Sequence, residues 1–242
     1  PRADFDWRRH DGVLFDLDGV ITPTAEIHEH AWGELFAGFD YTEADYLRYI
    51  DGKPRYDGVR SFLASRNVTL PDGDPADAPG TGTVCAMGNR KNELFNVILE
   101  RDGIAPSRGT LATLDLLDEA AIPSAIVSSS KNARSVLDAA GLGDRFDVVV
   151  DGVVAAAEHI AGKPAPDMYL VAARRIGVAP DRSVVVEDAV SGVAAGAAGG
   201  FGVVIGVDRG AGADTLLAHG ATFVVDDLAD LLPGGPTTEL DT

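Results

Sequence analysis

The sequence predicts an α/β fold, a doubly wound parallel sheet with an all-helical cap domain inserted after the first strand. Two observations lead to this prediction. From Thr110 onward, strand-like and helix-like runs alternate, which is typical of parallel strands joined by crossover helices. Between the first strand and this region the hydrophobic periodicity is helical only, which favours a separate domain.

The first predicted strand is the apolar run Val13–Phe15, which leads into Asp16-Leu17-Asp18-Gly19. Alternate residues of a strand point the same way, so we expect Asp16 and Asp18 to leave the sheet edge together. Two carboxylates so close repel each other unless a cation lies between them, and a hard divalent metal with oxygen ligands is the usual one. Taken alone, such a pair is more often an exposed acidic turn than a metal site.

The cap is expected to begin directly after this strand. Apolar residues recur at helical spacing from Ile27 to Phe36, a loop rich in Pro, Gly and Asp covers 71–82, and a further helix is predicted over about 89–101. We therefore expect the following division of the chain: a flexible leader over 1–10, an α/β core over 11–23 and 101–232, the cap over 24–100, and a C-terminal tail over 233–242.

Five more strands are predicted beyond the cap, near residues 123–128, 147–150, 183–187, 202–207 and 222–225. Sheets of this kind bind their ligands beyond the carboxyl ends of the strands. The glycines between Gly192 and Gly206 match no GxxxxGK[ST] pattern, so we interpret them as close helix–sheet packing and not as a nucleotide loop.

Three polar segments follow the predicted strands. Residues 128–132 supply hydroxyl, ammonium and amide donors, Lys163 lies in a proline-stiffened loop, and Glu187 and Asp188 end a strand. Each has an ordinary explanation as a helix N-cap, a solvated loop or an acidic turn. A helix N-terminus is also a good phosphate site, so the first explanation does not exclude function. With the two aspartates, the segments supply what metal-assisted phosphoryl transfer needs.

Composition narrows the class of protein. The 242-residue chain has a formal net charge of −18, which argues against nucleic acid as a partner because that binding needs concentrated Lys and Arg. Nothing resembles a membrane span or an export signal, and the single Cys85 fits a reducing compartment without implying thiol chemistry. We expect a cytoplasmic monomer with no membrane partner. A phosphate site would need local cations, for which the candidates are a metal, Arg55, Lys91, Lys131 and Lys163.

The four segments together resemble the motif set of the haloacid dehalogenase superfamily. DLDGV matches its nucleophile motif, the serine after the second strand its phosphate motif, GKPAPD its lysine motif and the strand-ending ED its metal motif. Roughly residues 11–230 resemble the β-phosphoglucomutase-like group of that superfamily, with the start FDLDGVITPTAEIHEHAW similar at nearly every position. This likeness implies a Rossmann-like core with a helical cap.

The resemblance also implies a mechanism. Asp16 would be the nucleophile that forms an aspartyl-phosphate, and Asp18 the general acid and base. Ser128 and Lys163 would hold the transferring oxygens. A Mg²⁺ cofactor is implied, with the ligands Asp16, the backbone carbonyl of Asp18, Glu187 and Asp188.

In the cap, the resemblance implies that Arg55 binds a distal phosphate and that His28 lies near the acid/base aspartate. The expected residues for binding a small phosphorylated sugar are His28, Gly52, Arg55, Lys91, Ser130, Lys131 and Asn132. The cap residues have ordinary alternatives, a packed histidine and surface charges. One departure is Pro23, where the family usually has an aspartate; proline fixes φ at the core–cap junction.

Three functions stay open at this point. The first is a β-phosphoglucomutase that interconverts β-D-glucose 1-phosphate and glucose 6-phosphate through an aspartyl-phosphate and a glucose 1,6-bisphosphate. The second is a Mg-dependent phosphatase for a sugar phosphate or another small phosphomonoester. The third is a non-catalytic binding protein. The first two share one catalytic core and differ in how well the cap excludes water.

Overall fold

The computed structural model describes residues 5–50 and 53–233. The chain divides into two units, which we name the core (residues up to Pro23 and from Ile104 onward) and the cap (Thr24–Gly103). The chain leaves the core after Pro23. It returns after Gly103, where the sequence had predicted a return after residue 100. The predicted tail, apart from Pro233, and Gly52 lie outside the described residues.

The core contains a six-stranded parallel sheet with the order β3-β2-β1-β4-β5-β6. This arrangement confirms the predicted doubly wound fold. The strands are β1 (Gly12–Phe15), β2 (Ser124–Val127), β3 (Val148–Val150), β4 (Ser183–Glu187), β5 (Val203–Val207) and β6 (Phe223–Val225).

The two central strands, β1 and β4, are buried along their whole length. Strands covered on both faces must be apolar throughout, which is why these segments read as continuous runs and not as alternating ones. Phe15 is in register with Val186 on one side and with Ile126 on the other. The chain moves from β1 outward to β3 and then crosses to β4, so β1 and β4 flank the switch point of the sheet, where ligands bind in such folds.

The cap is helical, as expected. Its helices are α1 (Ala25–Leu35), the short α2 (Glu43–Asp45), which continues into a π-helical turn at Tyr46–Ile50, α3 (Arg55–Ser65) and α4 (Val84–Asp102). Buried aromatic rings form the hydrophobic interior of the cap, with Phe36 and Phe62 at 4.0 Å between ring centroids. Helix α4 begins at Val84, earlier than the predicted residue 89, because the Thr83 hydroxyl accepts from the backbone N–H of Ala86 and caps the helix there.

The loop before α4 is tied down by its own side chains. Asp77 Oδ2 accepts from the Thr83 hydroxyl at 2.7 Å and from the Asp74 backbone N–H at 3.1 Å. The Asn89 amide donates to the Asp77 carbonyl at 2.8 Å, and the Tyr56 hydroxyl donates to Asn89 Oδ1 at 2.9 Å. The loop composition predicted over 71–82 therefore produces an ordered connection between α3 and α4.

The core helices are α5 (Arg108–Glu119), α6 (Ala133–Ala139), α7 (Gly152–Ala157), α8 (Asp167–Ile176), α9 (Val190–Ala198) and α10 (Ala213–Ala218). Helix α8 packs against β1, β2 and β3, and α9 packs against β4 and β5. A membrane-crossing helix is not found in the described part of the chain, since each helix there is too short or too polar.

The flexible leader expected over 1–10 is wrong for the residues that the structure describes there. Trp7–Arg9 form a 3-10 turn, capped by the Asp6 carboxylate, and Trp7 is only 1% exposed. Its ring lies 4.8 Å from that of Phe5 and 6.5 Å from that of Phe15 in β1. The segment is ordered because an aromatic anchor at this position gains more from burial than the few residues around it lose in conformational freedom.

We expect Trp7→Ala to lower the free energy of unfolding by about 3–5 kcal/mol, because it removes a buried ring beside the central strand. Arg9→Ala, at an exposed position in the same turn, is the matched control and should change stability by less than about 0.5 kcal/mol. Chemical denaturation of the three proteins measures the difference. Equal stabilities would mean that the segment is a leader after all.

Candidate active site

Two carboxylates meet at the carboxyl ends of the central strands. Asp16 directly follows β1, and its backbone N–H donates to the Val186 carbonyl of β4 at 2.9 Å. Glu187 is the last residue of β4. Strand register therefore brings together two acids that are far apart in sequence, as the strand-end argument predicted.

Lys163 bridges these two acids. Its ammonium donates to Asp16 Oδ1 at 2.5 Å, to Glu187 Oε1 at 2.5 Å and to the Val127 carbonyl at 2.9 Å. These acceptors use its full set of three donors. The side chains are 5% exposed for Lys163, 10% for Asp16 and 1% for Glu187, so the contacts lie in a medium where charge–charge attraction is much stronger than in water.

Glu187 is held by further groups that the sequence analysis did not identify. Oε1 also accepts from the Tyr169 hydroxyl at 2.9 Å, and Oε2 accepts from the Ala189 backbone N–H at 3.0 Å. A Cβ at Gly192 would lie 1.6 Å from Glu187 Oε1, so only glycine leaves room for the carboxylate. The interpretation of Gly192 as a packing glycine is thus supported, but what it packs against is a site residue.

A third acid, Asp188, completes a cluster in which carboxylate oxygens of Asp16, Glu187 and Asp188 lie within 4.8 Å of one another. Burial raises the pKa of Asp16, and the neighbouring carboxylates raise it further while Lys163 opposes them. Burial and then the charge of Glu187 raise the pKa of Asp188 to about 7. The pKa of Lys163 is above its ordinary value, because its two acidic partners outweigh the effect of burial. The acids exceed the charge of one ammonium, so this all-oxygen donor set fits a hard divalent cation.

Asp18 lies half-buried next to the turn that follows β1. Its charge contributes to the raised pKa values of both Asp16 and Asp188. Gly19 has φ +83°, a backbone conformation that favours glycine. A Cβ at this position would also lie 2.0 Å from Asp188 Oδ2, so both the backbone and the space require glycine. Arg209 donates to the Gly19 carbonyl at 2.9 Å and fixes this turn from the loop after β5.

The predicted phosphate segment forms a tight turn after β2. Ser128 is buried, and its hydroxyl accepts from the Ser130 backbone N–H at 3.0 Å; the Ser130 hydroxyl accepts from the Asn132 N–H at 3.1 Å. Asn132 occupies the N-cap position of α6, but its side chain makes no capping hydrogen bond. Helix capping by the side chain therefore does not explain why an asparagine is found at this position. Lys131 is exposed. These residues lie at the same sheet edge as Asp16.

Within the cap, His28 and Lys91 form one pair. Lys91 is 4% exposed, so the alternative of a surface charge is wrong for it. Its ammonium lies 2.5 Å from His28 Nδ1 and 5.0 Å from the centroid of the Phe95 ring, which stacks on His28. Because an ammonium can only donate, Nδ1 must accept, and the imidazole proton is assigned to Nε2.

Arg55 begins α3 and is half-buried, with its guanidinium 6.0 Å from the Tyr56 ring centroid. Its charge lowers the pKa of His28, so the three predicted cap residues interact electrostatically. Arg55 also lines a groove of about 480 Å³ with the amides of Asn89, Asn92 and Asn96. The predicted residues thus form two sets, one within the cap and one at the sheet edge of the core.

A family model described as haloacid dehalogenase-like hydrolase matches residues 10–200 of the chain. The matched span contains the cap and each of the four strand-end segments.

Two individual relatives and one solved structure match the chain over most of its length. The chain is 50% identical over 238 residues to a β-phosphoglucomutase of Mycobacterium bovis, with 90% of each chain covered. It is 34% identical over 196 residues to hexitol phosphatase A of Escherichia coli, covering 80% of this chain and 81% of that one. Among solved structures, CbbY from Rhodobacter sphaeroides in complex with xylulose-(1,5)bisphosphate matches with a TM-score of 0.72 and 26% identity, over 92% of this chain and 96% of that one.

We expect the His28 imidazole to stay neutral in the folded protein well below the ordinary histidine range. Burial, and then the charges of Lys91 and Arg55, lower its pKa to about 3. Below about pH 6.5 the unfolded chain gains a proton at this residue that the folded chain refuses, so His28 makes the free energy of unfolding fall as the pH drops toward 3.

Side-chain ¹⁵N NMR measures this directly and also reports the tautomer. In Lys91→Met the pKa of His28 should rise but stay below its ordinary value, since burial is the larger cause. Protonation of wild-type His28 near pH 6.5 would contradict the arrangement of the cap pair.

Proposed function

Because the chain belongs to the haloacid dehalogenase-like hydrolases and is an enzyme of phosphoryl transfer, we propose that it is a β-phosphoglucomutase acting on β-D-glucose 1-phosphate. The observation that carries the phosphoryl-transfer chemistry of this proposal is the ammonium of Lys163 held between Asp16 and Glu187. A buried carboxylate at a sheet edge, held in place by a cation, is suited to attack phosphorus and to form an aspartyl-phosphate.

In this proposal, Asp16 is the nucleophile and Lys163 fixes the carboxylate for attack. The Lys163 charge also offsets part of the negative charge that gathers when a phosphate approaches the acids. Ser128, buried at the end of β2, and the turn that contains Ser130, Lys131 and Asn132 hold the transferring and neighbouring oxygens.

Asp18 is proposed as the general acid and base. It is two residues from the nucleophile and shares its side of the strand end, yet it is only half-buried and so can reach a substrate hydroxyl. It would protonate the leaving sugar oxygen and later deprotonate the hydroxyl that accepts the phosphate.

Asp16, Glu187 and Asp188, with the backbone carbonyl of Asp18, are the groups that would hold Mg²⁺. When bound, the ion supplies the positive charge that lets an anionic phosphate approach an anionic nucleophile. The raised pKa values of Asp16 and Asp188 support this assignment, since burial and the neighbouring carboxylates disfavour their charged forms and Lys163 does not fully offset this.

The cap cations support a substrate that carries a second phosphate. Arg55 and the buried Lys91 lie together on one unit, and a guanidinium can bind a phosphate through two hydrogen bonds. A mutase must bind a bisphosphate intermediate and therefore needs a grip on the phosphate that does not react. The 50% identity to a mycobacterial β-phosphoglucomutase points the same way.

A sugar-phosphate phosphatase is the alternative, and the 34% identity to hexitol phosphatase A favours it. The core residues would act identically as far as the aspartyl-phosphate, and water would then replace the sugar hydroxyl. The two functions differ in whether water is excluded from the phospho-enzyme.

Incubation with β-D-glucose 1-phosphate, Mg²⁺ and a catalytic amount of glucose 1,6-bisphosphate separates these functions. We expect glucose 6-phosphate to form at least about tenfold faster than free phosphate. Asp16→Asn should lower both rates by several orders of magnitude, as loss of a nucleophile usually does. Free phosphate as the main product would favour the phosphatase, and an active Asp16→Asn would remove the nucleophile assignment.

Arg55→Ala tests the grip on the second phosphate. We expect mutase turnover to fall about a hundredfold, while hydrolysis of a simple phosphomonoester changes by less than about threefold, because only the mutase uses this contact. Arg60→Ala is the matched control on the same helix; Arg60 is exposed and paired with Asp57 and Asp72. If Arg55→Ala and Arg60→Ala behaved alike in both assays, Arg55 would have no role in substrate binding.

A further inference from the structure

Tyr169 lies on α8, is completely buried, and touches the charged centre of the site. Its hydroxyl donates to the Glu187 oxygen that also accepts from Lys163. We propose that Tyr169 is a positioning residue, whose hydroxyl holds Glu187 so that the Lys163 ammonium stays shared between Glu187 and Asp16. The inference rests on the proposed roles of Asp16 as nucleophile and Glu187 as metal ligand.

Core packing accounts for the Tyr169 ring but not for its hydroxyl. The ring belongs to a cluster of buried hydrophobic residues and meets the Phe201 ring edge-on at 6.0 Å between centroids. Phenylalanine would fill the same space. The hydroxyl extends from this ring to Glu187 Oε1 at 2.9 Å, so the polar atom of a buried core residue ends in the cluster of acids.

Tyr169 supports Lys163 as well as Glu187. The Lys163 ammonium lies 5.0 Å from the centroid of the Tyr169 ring, within the range of a cation–π contact. One side chain therefore touches both members of the Lys163–Glu187 pair. Because α8 packs on β1, β2 and β3, the ring is anchored to the strands that precede Asp16 and Ser128.

The hydroxyl affects how Lys163 divides its charge. Glu187 Oε1 accepts from Tyr169 and Lys163 together, and Oε2 is fixed by the Ala189 N–H. Without the hydroxyl, Oε1 would be satisfied by Lys163 alone. A carboxylate with fewer donors attracts its remaining cation more strongly, so Lys163 would shift toward Glu187 and away from Asp16. Glu187 would also lose the bond that orients it as a ligand.

Tyr169→Phe tests this because it removes one oxygen atom and keeps the ring. We expect kcat for phosphoryl transfer to fall about tenfold with KM changed less than about twofold. The Mg²⁺ concentration for half-maximal thermal stabilisation should rise about tenfold, the usual effect of losing a group that orients a metal ligand. Tyr41→Phe is the matched control, since the buried Tyr41 hydroxyl in the cap has no hydrogen-bond partner among the described residues. It should change none of these quantities.

A lower unfolding temperature in Tyr169→Phe, with kcat and the Mg²⁺ midpoint within about twofold of wild type, would overturn the proposal and leave Tyr169 a packing residue. Incorporation of 3-fluorotyrosine gives a second readout without mutation. The ¹⁹F resonance of residue 169 should shift when Mg²⁺ is added to the substrate-free protein, and an unmoved resonance would also overturn it. If the wild-type protein shows neither phosphoryl transfer nor stabilisation by Mg²⁺, the proposed function itself has failed. This result needs no variant, so it is distinguishable from a failure of the Tyr169 proposal.

Discussion

The buried ammonium of Lys163 is the interaction on which the site depends. It donates to Asp16 and to Glu187, two carboxylates at the ends of adjacent strands, with Asp188 beside them. Acids so close and so buried are unstable as a charged group unless cations offset them. Breaking a buried pair by removing one partner typically destabilises a protein by about 3–5 kcal/mol, so Lys163 is needed for the fold of this edge as well as for the chemistry proposed for it.

Strand register and small residues make that arrangement possible. Parallel pairing of β1 with β4 sets Asp16 beside Glu187, and glycine at positions 19 and 192 leaves space for the carboxylates of Asp188 and Glu187. In the cap, the buried cation Lys91 lies against aromatic rings and a neutral imidazole. Local placement of cations is how a chain with a net charge of −18 can bind an anionic substrate.

Sequence patterns predicted the parts that depend on local chemistry. The six strands, the cap insertion and the acids at the ends of β1 and β4 follow from apolar runs that end in polar residues. What was missed depends on contacts between distant segments. Nothing in its neighbourhood distinguishes Tyr169 from any core aromatic residue, and the Gly192 constraint appears only once Glu187 is placed beside it. Trp7 lies in the segment expected to be a flexible leader, because three residues carry too little periodicity to reveal a buried anchor.

The central claim is that Asp16 carries the phosphate during turnover. The direct measurement is to quench the enzyme with acid within a single turnover of its phosphorylated substrate, reduce the acyl-phosphate with borotritide, and map the labelled peptide. We predict label at Asp16, as homoserine, and none in Asp16→Asn. Label at Asp18 or another acid, or no label at any time during productive turnover, would contradict the claim.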